Sequence, residues 1–253
     1  MNDNTFPDNP QQPFNIWQIL GLHLIPGALI TAFFFLIGPL IIRAGYPPLM
    51  AIRLAILVIL IPFELGFLYY QGKKLNGRYS LQGIVLLREQ TPTWQFVLFV
   101  CALVLWGGLA FGLLSKVDDF FIQNMFAWFP DWALPVNIIG DSNQYSKSAL
   151  ALTLFAGFLL NGFAGPFVEE LYFRGYLLPR IPSPRQWAPL INILLFSLYH
   201  FFSPWQNLTR ILALIPFVYL VSWKRNIRIG IWAHCLMNTL GMIPMVALLL
   251  MPG

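Results

Sequence analysis

The chain has 253 residues, 58% of them hydrophobic and only 10% charged, with a mean hydropathy of +0.67. A soluble domain carries about 25% charged residues. A chain this apolar lacks the polar surface to cover itself in water, so an ordinary soluble globule is excluded. The net charge of +5 comes from 15 Lys and Arg scattered through short loops, which excludes a dense nucleic-acid-binding patch. The two cysteines, Cys101 and Cys235, lie in apolar runs and suggest neither a disulfide framework nor a Cys-rich metal site.

In chain order, residues 1–16 are rich in Pro and Asn, with two Asp and no Lys or Arg. They are expected to form a disordered tail. Lacking a positive leading region, they predict no cleavable signal peptide. A spanning helix needs roughly 20 mostly apolar residues. Seven stretches read as spans: 17–42, 48–71, 94–115, 147–178, 187–203, 207–223 and 228–250. The expected fold is therefore all-α, a polytopic transmembrane helical bundle of seven or eight spans. The fourth stretch is too long for one straight helix. Gly162, Gly165 and Pro166 at its centre predict a kink or break, and a break would give the eighth span. Residues 17–146 would be N-terminal membrane helices with a long interfacial loop, and 147–250 the remaining helices of the same membrane domain.

That loop, roughly 116–146, carries Asp118, Asp119, Asp131 and Asp141 among Phe120, Phe121, Phe126, Trp128, Phe129 and Trp132. It reads as an interfacial aromatic belt or a surface helix, with a substrate gate as the alternative. Alternate loops differ in cation content. One side collects Lys73, Lys74, Arg78, Arg88, Arg174, Arg180, Arg185, Lys224, Arg225 and Arg228, and the other Arg43, Arg53, Lys116, Lys147 and Arg210. The richer side is expected to be cytoplasmic, with the N-terminus inside.

Ionisable residues in a span cost at least ~2.5–3.5 kcal/mol each at the helix centre. Most of the exceptions gather in the last hundred residues. Glu169 and Glu170 point about 100° apart on a helix. Glu170 and Arg174 are four apart, acid before base, the favourable order for an ion pair. Glu169 is left facing elsewhere, and an unpaired carboxylate in a low-dielectric site can act as a general base. Phe196 and His200 share a helix face, as do His234 and Asn238. The last two can both donate to one acceptor such as an oxyanion. Each feature alone also fits a polar helix end or an interhelical hydrogen bond. Residue counts permit all of them to meet near mid-membrane. Arg53 and Glu64 in the second span are eleven apart, too far to pair, and are read as contacts to other helices or as substrate-positioning groups. His23 is read as structural.

Glu169-Glu170-x-x-x-Arg174, Phe196-x-x-x-His200 and His234-x-x-x-Asn238, in this order, resemble the three motifs of the CPBP family of membrane proteins, which includes the CAAX prenyl endopeptidases and the bacterial Abi-type proteins. Phe173 and Gly175 also match its pattern. The resemblance covers roughly 147–250. It implies an intramembrane endopeptidase cutting near the cytoplasmic face. Glu169 and His200 would activate a water, His234 and Asn238 would hold the oxyanion, and Glu170 with Arg174 would orient the first carboxylate. It favours a mechanism with no cofactor. Zinc is the alternative, with Glu169, Glu170, His200 and His234 as ligands. Substrates would be membrane-embedded or lipidated peptides or proteins, in contact with the bilayer and with no nucleic acid partner. A bacterial inner membrane is the expected location.

Other protease chemistries fit less well. Ser197 lacks the setting of a rhomboid-type serine, and Asp141 lies in a loop with no Asp in any span. A non-catalytic scaffold or immunity protein of the same fold is the main alternative. An ion or proton transporter is a further one, although no internal repeat supports it.

Overall fold

A computed structural model describes residues 13–135, 144–184, 186–243 and 246. The expected tail therefore lies mostly outside the described residues, as do Asp141 and Arg185. Among the described residues the protein is all-helical apart from connecting segments.

The helices are α1 (Ile16–Arg43), α2 (Leu49–Asn76), α3 (Thr93–Asn124), α4 (Lys147–Arg180), α5 (Ala188–Tyr199), α6 (Asn207–Lys224) and α7 (Ile227–Leu240). The first four are long and apolar enough to cross a membrane. Only 22% of the most apolar window of α3 is buried inside the protein, so most of its Leu, Val and Phe face outward. Lipid is the solvent such a surface needs. Local signals set several helix starts. Asn15 and Gln18 form a reciprocal capping box on α1, Ser146 caps α4, and Asn226 caps α7.

Two helices contain widened, π-helical turns. In α2 the stretch Ile56–Leu65 is π-helical and contains Pro62, which offers no N–H to the ladder. In α4 two such stretches, Gly157–Ala164 and Glu170–Leu177, flank a short α-helical piece. The helix does not break at Gly162–Pro166. It runs on to Arg180, and the widened turns absorb what a break would have relieved.

Several helix ends differ from expectation: α2 runs five residues past the expected 71 and α7 ends at Leu240 rather than 250, and two further differences bear on the site. Helix α5 stops at Tyr199 and is only twelve residues long. His200 follows as its cap with a non-helical backbone, and the chain turns through Ser203 and Pro204–Gln206 into α6. Helix α3 runs nine residues past the expected 115 to Asn124. A candidate span does then hold aspartates, and Asp118 is buried there, bonded to Thr209. The aromatic segment after it is not simply a surface belt. Phe129 and Trp132 pack on Phe34 and Phe35 of α1 and on Trp205, whereas Trp128 and Phe120 stay exposed.

The core places α5 between α1 and α6, with α7 against α3, α6 and α4. On the Lys- and Arg-rich side, the segment after α2 straps the bundle. Leu86 N–H donates to the Gly175 carbonyl at 2.8 Å, and Ile227 N–H to the Leu87 carbonyl at 2.8 Å. Four of the cations counted as loop charges, Arg53, Arg174, Arg180 and Arg210, are buried, yet the excess on the first side survives their removal.

Candidate active site

Glu169 closes the α-helical piece of α4, and Glu170 opens the π-helical stretch behind it. Both are buried. The Arg174 Nη1 lies 3.1 Å from Glu170 Oε1, the acid-before-base pair that the spacing predicts. Glu169 is not solitary, however. From α7, His234 donates from Nδ1 to Glu170 Oε1 at 3.0 Å, and its Nε2 stands 3.8 Å from Glu169 Oε2. The angular separation of adjacent carboxylates does not keep them apart here, because the two nitrogens of one imidazole reach both.

Helix α7 comes this close because residue 230 is glycine. A Cβ there would lie 2.7 Å from Glu170 Oε2. That oxygen has no hydrogen-bond partner among the described residues, and neither has any nitrogen of Arg174 beyond its ion pair. Aromatic rings take up the rest of the guanidinium. Its carbon sits 3.9 Å from the ring centroid of Phe196 and 5.6 Å from that of Phe217. The same Phe196 ring touches His200, at 4.9 Å between centroids, and His234, at 6.3 Å. Phe196 is thus the apolar hub joining the three motifs.

His200 keeps its link to Phe196 although it lies beyond the helix. Its Nδ1 is 2.9 Å from the Phe196 carbonyl oxygen. A carbonyl only accepts, so Nδ1 carries the hydrogen and Nε2 of the neutral ring keeps its lone pair. Asn238 does not share an acceptor with His234. Its Nδ2 donates to the Asn161 carbonyl at 3.0 Å, which uses one of its two N–H groups.

A third buried carboxyl is the one the sequence reads as a contact to another helix, and it makes one. Glu64 of α2 is fully buried and accepts from the Tyr199 hydroxyl at 3.3 Å. The only signal was a lone acid inside a span, next in space to the residue preceding His200. Arg53 turns elsewhere, its Nε lying where a Cβ at Gly157 would meet it at 3.1 Å. His23 is held by the Ile19 carbonyl and by Asn192, which also donates to the Phe173 carbonyl.

Among the described residues, no three His, Cys, Asp or Glu side chains are placed to hold a metal ion. Glu170 is occupied by Arg174 and His234, while His200 keeps its Nε2 lone pair free. As arranged, the four side chains named for zinc do not fit it.

No curated protein and no solved structure matches the chain. Residues 151–240 match the family model described as Rce1-like, type II CAAX prenyl endopeptidase. The matched segment contains all three motifs and every residue of the cluster except Glu64. With four helices able to cross a membrane and a match to a membrane-protease family model over residues 151–240, the chain is an integral membrane protein.

Proposed function

We propose that the chain is an intramembrane endopeptidase that hydrolyses peptide bonds near the cytoplasmic membrane face. The observation that carries this reading is the pair of buried carboxylates gripping one histidine, with a second histidine one aromatic ring away, inside a protease-family domain. Helices α5, α6 and α7 complete a bundle of seven spans, with the N-terminus on the cytoplasmic side of a bacterial inner membrane. Residues 147–250 supply the catalytic helices, and 17–146 supply support and the route for a membrane-embedded or lipidated substrate.

In this reading Glu169 and the Nε2 lone pair of His200 take a proton from water. The resulting hydroxide attacks the peptide carbonyl carbon. Protonated His234 keeps Nδ1–H on Glu170 and presents Nε2–H to the oxyanion, beside the second N–H of Asn238. The C–N bond breaks as the proton held by Glu169 passes to the leaving amine nitrogen. Arg174 fixes Glu170, and Glu170 fixes His234. No step is routed through a metal.

New protein N-termini, measured by mass spectrometry in membranes from cells expressing the native chain or Glu169→Gln at equal levels, test this reading. Termini that need the intact carboxylate are the expected result. Identical profiles from two folded proteins would favour a scaffold or immunity protein.

A further inference from the structure

Four arginines are buried among the described residues, and three of them have acceptors. Arg174 meets Glu170, Arg180 donates from Nη1 to the Tyr176 carbonyl at 2.7 Å, and Arg210 reaches four oxygens. Arg53 of α2 is only 5% exposed, yet it has no hydrogen bond or ion pair with any described residue. A guanidinium keeps its proton in proteins, so the charge remains. A buried charge without a counter-ion is among the costliest things a fold can carry.

The bundle makes room for this side chain instead of turning it out. Residue 157 of α4 is glycine, and a Cβ there would lie 3.1 Å from Arg53 Nε and 2.8 Å from Met242 Cε. Met242 packs with Leu154, and Leu49 packs against that pair. None of these side chains offers an acceptor. An arginine that only needed water would extend towards the helix end. This one lies across Gly157.

Depth points to the missing partner. Lys73, near the other end of α2, is exposed, and twenty residues separate it from Arg53. At the α-helical rise that is about 30 Å, the thickness of a hydrocarbon core. Arg53 therefore stands at the opposite boundary of the core, where lipid phosphates lie. One turn further into α2, Leu57 and Val58 are about half exposed, so this part of the helix opens to the bilayer. We infer that Arg53 is a lipid site, a guanidinium that receives the phosphate of a phospholipid in the leaflet opposite Lys73 and Lys74. Guanidinium and phosphate match as a planar fork on paired oxygens, and the acyl chains would run along Leu57 and Val58. A lipid held there braces α2 against α4, the helix that carries Glu169 and Glu170, without touching the cluster around them.

The test uses the full-length protein, stripped of lipid in an uncharged, phosphate-free detergent. It needs no turnover, so its failure leaves the protease reading untouched. The first readout is the thermal midpoint. Phosphatidylglycerol should raise it by several degrees in the native protein. Diacylglycerol, which lacks the phosphate, and inorganic phosphate, which lacks the chains, should not. Arg53→Met removes the charge and keeps an unbranched side chain. Its lipid-free midpoint should be no lower than native, since an unpaired charge is gone, and phosphatidylglycerol should add nothing beyond diacylglycerol. Gly157→Ala crowds Nε without touching the charge and should weaken the response to phosphatidylglycerol. Native mass spectrometry should find a phospholipid retained on the native chain and lost from Arg53→Met. A lipid-free Arg53→Met that melts well below native would mean that the charge has its partner inside the protein, and would overturn the inference. An unaltered response of Arg53→Met to phosphatidylglycerol would do the same. A shift produced by inorganic phosphate alone, or by a peptide with a free terminal carboxylate but not by its amide, would overturn the lipid assignment and give the site to that anion.

Discussion

Of the buried polar clusters among the described residues, two treat their hydrogen bonds in opposite ways. At the end of α6 away from Lys224, Arg210 donates to the Ser197 carbonyl, Asn207 Oδ1, Ser203 Oγ and Gln206 Oε1, at 2.9–3.4 Å. Beside it, Thr209 donates to Asp118 at 2.5 Å. In the cluster around Glu170 the partners run short. Among the described residues, Glu64 Oε2 and Glu170 Oε2 lack hydrogen bonds, as do the nitrogens of Arg174 beyond its ion pair with Glu170. Buried polar groups in native proteins are nearly always satisfied, and exceptions concentrate where chemistry is done. The first cluster holds a shape, namely the turn that carries His200. In the proposed reading the second is the one that meets substrate and water. Charge content does not separate the two; satisfaction does.

The largest effect that would sharpen this contrast is Glu169→Gln. Cleavage should fall by roughly 10²–10⁴-fold, because an amide takes no proton, while the thermal midpoint in detergent stays near the native value. A stability loss with activity retained would reverse the assignment. Next in size is Glu170→Leu. It strands Arg174 without its counter-ion and should destabilise by about 3–5 kcal/mol. The double variant Glu170→Leu/Arg174→Leu should regain part of that loss, as measured by denaturation midpoints. Failure to regain any would mean that the aromatic rings around Arg174, and not the ion pair, set its cost.

Much of this arrangement could be read from the residues alone. The spacing of Glu170 and Arg174 gave their ion pair, and the four-residue interval gave the contact of Phe196 with His200. Helix starts followed from composition, but several helix ends did not. What could not be read depends on departures from the regular helix. Periodicity assumes a constant turn, so it could not foresee the widened turns of α2 and α4, nor that α5 would end at Tyr199. It also treated each charge by its sequence position. Arg210 was counted as a loop cation, and only tertiary packing shows it buried with four acceptors. Glu64 was legible as an anomaly but not as a member of the site, since its partner lies 135 residues away.

Two smaller predictions probe the satisfied cluster. Arg210→Ala removes the donor that wraps the 197–207 turn and should cost roughly 2–3 kcal/mol, the scale of lost hydrogen bonds to a charged group. Activity should fall with it, because His200 rides on that turn, and lowering the temperature should recover part of both. Thr209→Val is the finer instrument. Valine keeps the branched shape but sets a methyl where the hydroxyl was, so Asp118 loses a bonded partner and faces an apolar group. The expected cost is about 1 kcal/mol, visible as a drop of a few degrees in the thermal midpoint. Cleavage per folded molecule should be unchanged, since Thr209 holds α6 to α3 and touches none of the proposed reacting groups. A fall in kcat without a fall in stability would show that the satisfied cluster also takes part in turnover, and the division between a cluster that holds shape and one that does chemistry would fail at its simplest point.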